Sequence, residues 1–172
     1  RFELSTDQFW DKCQSMDELP STAAPAPGAF VEQFEEAASQ GASGVVAIVL
    51  SGELSATIEA AQQAALMVKD KIEVKVVDSR TVTMGLGSIV VGAATAAQSG
   101  ATIEEISANA IDCVERTQVH AALDTLENLR KGGRIGAAGS LLGSMLSIKP
   151  LIEVRNGVVE PAGKQRTRSK AL

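Results

Sequence analysis

The sequence is poor in the residues that mark several functional classes. Aromatic residues make up only 3% of its 172 residues, tyrosine is absent, and the net charge is −5. Because base-stacking platforms need aromatic rings and phosphate backbones attract cations, these features argue against nucleic acid as a partner. The two cysteines, Cys13 and Cys113, have neither the spacing of metal ligands nor a disulfide framework, which favours a reducing, cytoplasmic setting. No apolar run reaches the ~18 residues that a membrane-spanning helix needs.

What the chain does have is a globular composition, with 45% hydrophobic and 22% charged residues. The stretch around which the rest is organised runs from Gly44 to Thr57. Within it, Val45–Leu50 is a continuous apolar run rich in β-branched residues, which predicts a central strand buried on both faces. A helical pattern begins at Leu54–Ser55, and its apolar positions recur on one face.

A strand that enters a helix through a short Ser/Gly loop places N–H groups and hydroxyls at the carboxyl edge of a sheet. Open α/β sheets bind ligands at that edge, and a helix N-terminus favours an anion. We therefore expect an anion-binding turn built from Ser51 and Ser55. The alternative is that Ser55 only caps its own helix, and this stretch alone favours that simpler interpretation.

Periodic patterns and capping signals predict further elements along the chain. Two strands that are each followed by a helix favour a parallel sheet with flanking helices, and Asn156-Gly157 predicts an antiparallel hairpin later in the chain. The expected fold class is therefore α/β, followed by a second α+β part, with a soft boundary near Gly100 that separates domains 1–100 and 101–172. The predicted helices are 5–16, 28–40, 54–68, 83–99, 102–116, 124–130 and 136–146, and the predicted strands are 45–50, 73–77, 118–123, 148–155 and 158–160.

No catalytic constellation emerges from the remaining motifs. Gly85 and Gly87 open a helix after a strand, but Val90 stands where a dinucleotide-binding motif needs its third glycine. The only histidine, His120, lies in a predicted strand and has no partner at a catalytic spacing. The residues alone therefore predict a binding-type α/β protein with no visible catalytic machinery, no metal ligands and no cofactor.

Six segments together resemble one known family. The Pro-rich segment 19–30 is similar to that family's LPTTSQPSPGxF loop, and segment 51–57 is similar to its SSxLSGT turn. Segment 76–87 resembles its VVDSRxxSMGLG motif. The remaining matches are 124–136, which ends in Gly-Gly-Arg-Ile-Gly, then 148–150 and 163–168. By the order and spacing of these motifs, the chain resembles the DegV family of bacterial fatty-acid-binding proteins.

The resemblance implies a non-catalytic carrier that buries the tail of a long-chain fatty acid between two domains. It also implies that the carrier presents the carboxylate to a separate fatty acid kinase, which forms acyl phosphate for phospholipid synthesis. By match to the family's motifs, Thr22, Ser55 and the neighbouring Ser51 hold the carboxylate, and Arg134 and Arg166 contact the kinase.

The alternative hypothesis is a self-sufficient α/β small-molecule kinase or another enzyme. The lack of a P-loop argues against it. The family's pattern also includes an earlier strand with an Asp-Ser motif and a later segment with a histidine, which His120 does not match. We therefore expect the chain to lack family segments at both ends, so that the first domain is incomplete at its start and the second at its end.

Overall fold

The computed structural model describes residues 4–16, 18–143 and 148–172. The helices are α1 (Thr6–Gln14), α2 (Pro27–Ser39), α3 (Thr57–Met67), α4 (Thr83–Gln98), α5 (Ile103–Arg116), α6 (Glu127–Lys131) and α7 (Arg168–Ala171), with a 3₁₀ helix over Gly136–Leu141. The strands are β1 (Gly44–Val49), β2 (Glu73–Asp78), β3 (Val119–Ala122), β4 (Lys149–Arg155) and β5 (Val158–Gln165).

β1 and β2 form a parallel sheet, in register from Gly44 beside Glu73 to Val49 beside Asp78. Helices α2 and α3 pack on one face of this sheet, and α4 and α5 pack on the other. The layers are held by the removal of their apolar side chains from water, which stabilises the fold by roughly 25 cal/mol per Å². The buried residues are Phe34, Ala64, Val68 and Ile72 on the first face and Val77, Ile89 and Ala110 on the second.

β1 is less enclosed than its apolar sequence predicted. Among its residues only Val49 is buried, and the rest are partly exposed. Within the described ranges β1 pairs only with β2, so the prediction of a central, fully buried strand is wrong, although helices pack on both of its faces as expected. The physical reason is that each strand of a two-stranded sheet has one unpaired edge. The helices that pack on the two faces do not fully cover that edge of β1.

β3, β4 and β5 form an antiparallel sheet in that order. Asn156 (φ 53°) and Gly157 (φ 87°) turn the chain between β4 and β5, with the positive φ angles that the predicted Asn-Gly hairpin requires. β5 continues to Gln165, well beyond the predicted end at Glu160. One face of the sheet packs on α6 and the 3₁₀ helix around the buried side chains of Leu126, Ala138, Ile152 and Val159.

Three helices differ from the sequence prediction, and one of them, α6, begins at Glu127 rather than at Asp124. α3 begins at Thr57 rather than at Leu54, because the residues before it form a turn. The predicted helix 136–146 is a 3₁₀ helix that ends at Leu141, and residues 144–147 lie outside the described residues. Its first residue, Gly136, has φ 53°, which starts the segment outside the right-handed helical region.

The predicted fold class is confirmed, since a parallel α/β layer is followed by a part with antiparallel strands. Helix α5 follows the expected boundary at Gly100 and packs against α4, β1 and β2. The division into domains 1–100 and 101–172 stays a prediction. Of the helices in the described ranges, none combines the length and apolarity needed to cross a membrane.

Candidate functional site

The β1–α3 turn, residues 50–56, lies at the carboxyl edge of the parallel sheet. Its backbone closes on itself, because the N–H groups of Leu54 and Ser55 both donate to the carbonyl of Ser51, at 3.1 Å each. The N–H of Ser51 donates to the carbonyl of Thr81 at 3.0 Å, in the loop that follows β2. The turn is therefore a compact unit attached to the end of the neighbouring strand.

Ser51 is fully buried beneath this turn, with 0% of its surface exposed. Its Oγ donates to the carbonyl of Gly157 at 2.7 Å and accepts from the N–H of Glu53 at 3.2 Å. A hydroxyl carries one proton, and Ser51 donates its proton to the β4–β5 hairpin. Ser51 thus joins the turn to the second sheet.

Ser55 is only partly buried and lies just before α3. Its Oγ accepts from the N–H of Thr57 at 3.3 Å and lies 2.8 Å from Thr57 Oγ1. Ala56 occupies the N-cap position, but Ser55 Oγ accepts from the first N–H of α3, so the simpler interpretation of Ser55 as a capping residue is met by its hydrogen bond and not by its position. The two hydroxyls have two protons, and their mutual hydrogen bond uses one. When Thr57 is the donor, the proton of Ser55 is free for a ligand.

Arg134 reaches the same turn from the second part of the chain. α6 ends at Lys131, and the chain reverses through Gly132 and Gly133, the latter with φ 73°. Arg134 Nε donates to the carbonyl of Leu54 at 3.2 Å, and its Nη1 donates to the carbonyl of Gly132 at 2.6 Å. The arginine therefore bridges the two parts of the chain, although the residue as a whole is exposed.

A cavity of about 390 Å³ opens between the β1–α3 turn and the second sheet. Ser55 and Arg134 both line it, as do Glu53 and Glu59. The two carboxylates are exposed, so water and salt screen their repulsion of an anion. The first turn of α3 adds partial positive charge. Together a hydroxyl, a guanidinium and a helix N-terminus can hold an anionic group.

The structure does not bring all the predicted site residues together. Thr22 is exposed in the irregular segment between α1 and α2. Arg166 is exposed directly after β5. Neither residue lines the cavity that Ser55 and Arg134 share.

An exposed ion-pair cluster includes Arg168, two residues after Arg166. Asp124 Oδ1 lies 2.8 Å from Lys149 Nζ and 3.8 Å from Arg168 Nη1. The hydrogen bond and charge of Lys149, with a smaller contribution from Arg168, lower the pKa of Asp124 below its usual range. The cluster thereby links α7 to β4. As for metals, the described ranges contain no group of three His, Cys, Asp or Glu side chains able to hold an ion.

Several residues that shape the site were not identified as site residues from the sequence. The Asp78 carboxylate accepts from the N–H groups of Gly52 and Arg80, and the guanidinium of Arg80 donates to the carbonyl of Asn156. A signal existed for Asp78, because it ends a strand parallel to β1 and so lies at the same edge as the turn. No sequence signal pairs Gly157 with Ser51, which lies 106 residues earlier.

The fold and the site define an α/β protein with a candidate ligand cavity between a parallel and an antiparallel sheet. The DegV family model matches residues 1–172, and the chain belongs to the DegV family. The resemblance found in the sequence is thus confirmed.

The relatives give the same family. The chain is 41% identical over 170 residues to a DegV domain-containing protein of Streptomyces coelicolor, a match that covers 99% of this chain and 59% of that protein. A DegV family protein from Thermus thermophilus, described by its fatty acid binding, has a TM-score of 0.88 and 32% identity, over 98% of this chain and 59% of that one. A DegV lipid-binding protein from Thermotoga maritima has a TM-score of 0.82 and 25% identity, over 95% and 56%. The chain thus spans 59% of the length of the Streptomyces relative.

Proposed function

We propose that this chain binds a long-chain fatty acid and holds its carboxylate at the β1–α3 turn, without catalysing a reaction itself. The observation that carries the proposal is the similarity to the Thermus thermophilus protein, described by its fatty acid binding, at 32% identity and a TM-score of 0.88. The cavity beside Ser55 supports it, because hydroxyl and guanidinium donors there adjoin the N-terminus of α3.

The two ends of a fatty acid make opposite demands on a site. Each methylene removed from water gains ~0.8 kcal/mol, so a long acyl tail binds by burial. A carboxylate that is buried without partners costs several kcal/mol, and donors must therefore meet it. We place the tail between domains 1–100 and 101–172, where the cavity already has walls from both. Hydroxyl donors, with the guanidinium of Arg134 lining the same cavity, offset the desolvation of the carboxylate.

Ser55 is the primary carboxylate contact in this proposal, because it lines the cavity and its proton is available to a ligand when Thr57 Oγ1 donates to Ser55 Oγ. Thr22 is the second hydroxyl. It is exposed and does not line the cavity, so the proposal requires segment 18–26 to approach the cavity when the ligand binds. Ser51, the third predicted contact, supports the turn from beneath.

The proposal extends to a separate kinase that phosphorylates the bound acid for phospholipid synthesis. Arg134 and Arg166 are its contacts, since both are exposed and guanidinium groups suit carboxylates and phosphates. In a reconstituted pair, Arg166→Met should lower acyl-phosphate formation at unchanged palmitate affinity. The control is Arg155→Met, an equal change of charge on the β4–β5 hairpin. Arg134→Met should lower both quantities, because Arg134 also holds the turn through Leu54. Wild-type rates in both Arg134→Met and Arg166→Met would show that the kinase contacts another surface.

Calorimetric titration of the delipidated protein with palmitate tests the binding proposal. We expect saturable binding of palmitate and weaker binding of methyl palmitate, which has the same tail but no carboxylate. Absence of saturable binding would refute the proposal, and equal affinity for the two ligands would refute the carboxylate contact. Phosphorylation of the acid by the purified protein alone would instead favour a self-sufficient kinase.

A further inference from the structure

The β4–β5 hairpin docks onto the carboxyl edge of the parallel sheet through two hydrogen bonds. The carbonyl of Gly157 accepts from Ser51 Oγ at 2.7 Å, and the carbonyl of Asn156 accepts from Arg80 Nη2 at 2.8 Å. The contact is tight, because a Cβ on Gly157 would lie 2.7 Å from Ser51 Oγ and 3.1 Å from Glu53 Cγ. The tip of the hairpin therefore rests directly on the β1–α3 turn.

Arg80 is fixed through its backbone by the carboxylate that also holds the turn. Asp78 accepts from the N–H of Arg80 at 2.8 Å and from the N–H of Gly52 at 3.3 and 3.2 Å. Arg80 has φ 49°, in the left-handed region that few non-glycine residues adopt. The turn and the hairpin are therefore linked in two ways. One link is the direct hydrogen bond of Ser51, and the other passes through Asp78 and Arg80.

We infer that Arg80 is a positioning residue for the ligand held at the β1–α3 turn, an inference that rests on the proposed function. Arg80 does not line the cavity, so it acts through the hairpin. The hairpin accepts from Ser51, and Ser51 in turn accepts from Glu53 in the turn that carries Ser55. Without the Arg80 contact the turn is less ordered before binding, and the ligand has to order it.

Amide hydrogen exchange of the ligand-free protein tests this without assuming any ligand. In Arg80→Met we expect exchange at Glu53 and Ser55 to become about two- to tenfold faster, the range for the loss of one net hydrogen bond. Exchange in β3 should not change. Arg155→Met is the matched control, because Arg155 pairs with Glu153 rather than with the turn. Arg80→Lys, which keeps a donor of similar reach, should restore part of the protection.

Stopped-flow release of palmitate is the second measurement. Arg80→Met should raise the dissociation rate by about two- to tenfold, and Arg155→Met should leave it unchanged. Three results would overturn the inference: unchanged exchange in the turn, a uniform increase across all amides, or faster exchange in the turn with unchanged palmitate release. If wild-type protein does not bind palmitate, the proposed function fails, and the exchange data still decide whether Arg80 orders the turn. Should Arg80→Met not fold, Arg80→Gln, whose shorter side chain cannot span the gap, takes its place with the same expectations.

Discussion

Replacing Ser51 by alanine should destabilise the whole protein, because its hydroxyl is part of the fold. Ser51 is fully buried and joins the carbonyl of Gly157 at 2.7 Å to the N–H of Glu53 at 3.2 Å. In Ser51→Ala both groups lose a partner. Glu53 is exposed, so its N–H can bond to water, whereas Gly157 is buried. A buried group left without a hydrogen bond costs about 1–3 kcal/mol, and we expect the free energy of unfolding to fall by that amount.

Thermal and urea unfolding measure this loss. If the 172 residues unfold as one unit, 1 kcal/mol corresponds to a shift of about 2–4 °C in Tm, so Tm should fall by about 2–12 °C. The urea m-value should not change, because the unfolded surface is the same. The control is Ser39→Ala. Ser39 is exposed and donates only to the carbonyl of Glu36 within α2, so its replacement should change stability by no more than about 0.5 kcal/mol.

One combination of results would refute this reasoning. A Ser51→Ala variant that unfolds at the wild-type temperature but no longer binds palmitate would show that the hydroxyl of Ser51 serves the ligand. That result would support the assignment of Ser51 as a carboxylate contact, as the family motif implied, over the structural role assigned here.

Other substitutions test packing, burial and charge. Gly136→Ala should lower the free energy of unfolding in urea by at least about 2 kcal/mol, because φ is 53° and an added Cβ would lie 2.3 Å from the carbonyl oxygen of Val159. Wild-type stability would contradict this close contact between residue 136 and Val159. Thr81→Val should leave that free energy unchanged or raise it, since Thr81 Oγ1 is buried without a hydrogen-bond partner among the described residues; a clear loss would mean that the hydroxyl does have a partner. Lys149→Met should raise the pKa of Asp124 in a carboxyl NMR titration, because Lys149 is the main cause of its lowered value. The pKa of Asp124 in the folded protein lies below its value in the unfolded chain, about 3.9. The pair therefore stabilises the fold above about pH 3.9, and this stabilisation is lost as the pH falls through the folded pKa. An unchanged Asp124 pKa in Lys149→Met would contradict the pairing.

Local chemistry made most of the elements predictable. Ser5 with Gln8, and Thr102 with Glu105, form the capping boxes at the starts of α1 and α5, and both depend only on residues three positions apart. The hairpin at Asn156-Gly157 follows from the conformations open to those two residues. Such signals fix where an element starts or turns, and they need no knowledge of the rest of the chain.

The division of roles within the site was not predictable in the same way. The sequence offers Ser55 and the neighbouring Ser51 as carboxylate contacts, yet the fold buries Ser51 under Gly157, 106 residues later, and leaves Ser55 at the cavity. Arg134 likewise reaches the carbonyl of Leu54 across 80 residues. Which hydroxyl has a proton for a ligand depends on these tertiary hydrogen bonds, and no local pattern encodes them.

The affinity of Ser55→Ala for palmitate tests the central proposal most directly. This variant removes one hydroxyl at the cavity and leaves the contact between Ser51 and the hairpin in place. If Ser55 donates to the carboxylate, loss of a hydrogen bond to a charged group should raise Kd by about 10- to 150-fold, with Ser39→Ala at wild-type affinity. A wild-type Kd in Ser55→Ala would contradict the proposal and show that the carboxylate binds elsewhere.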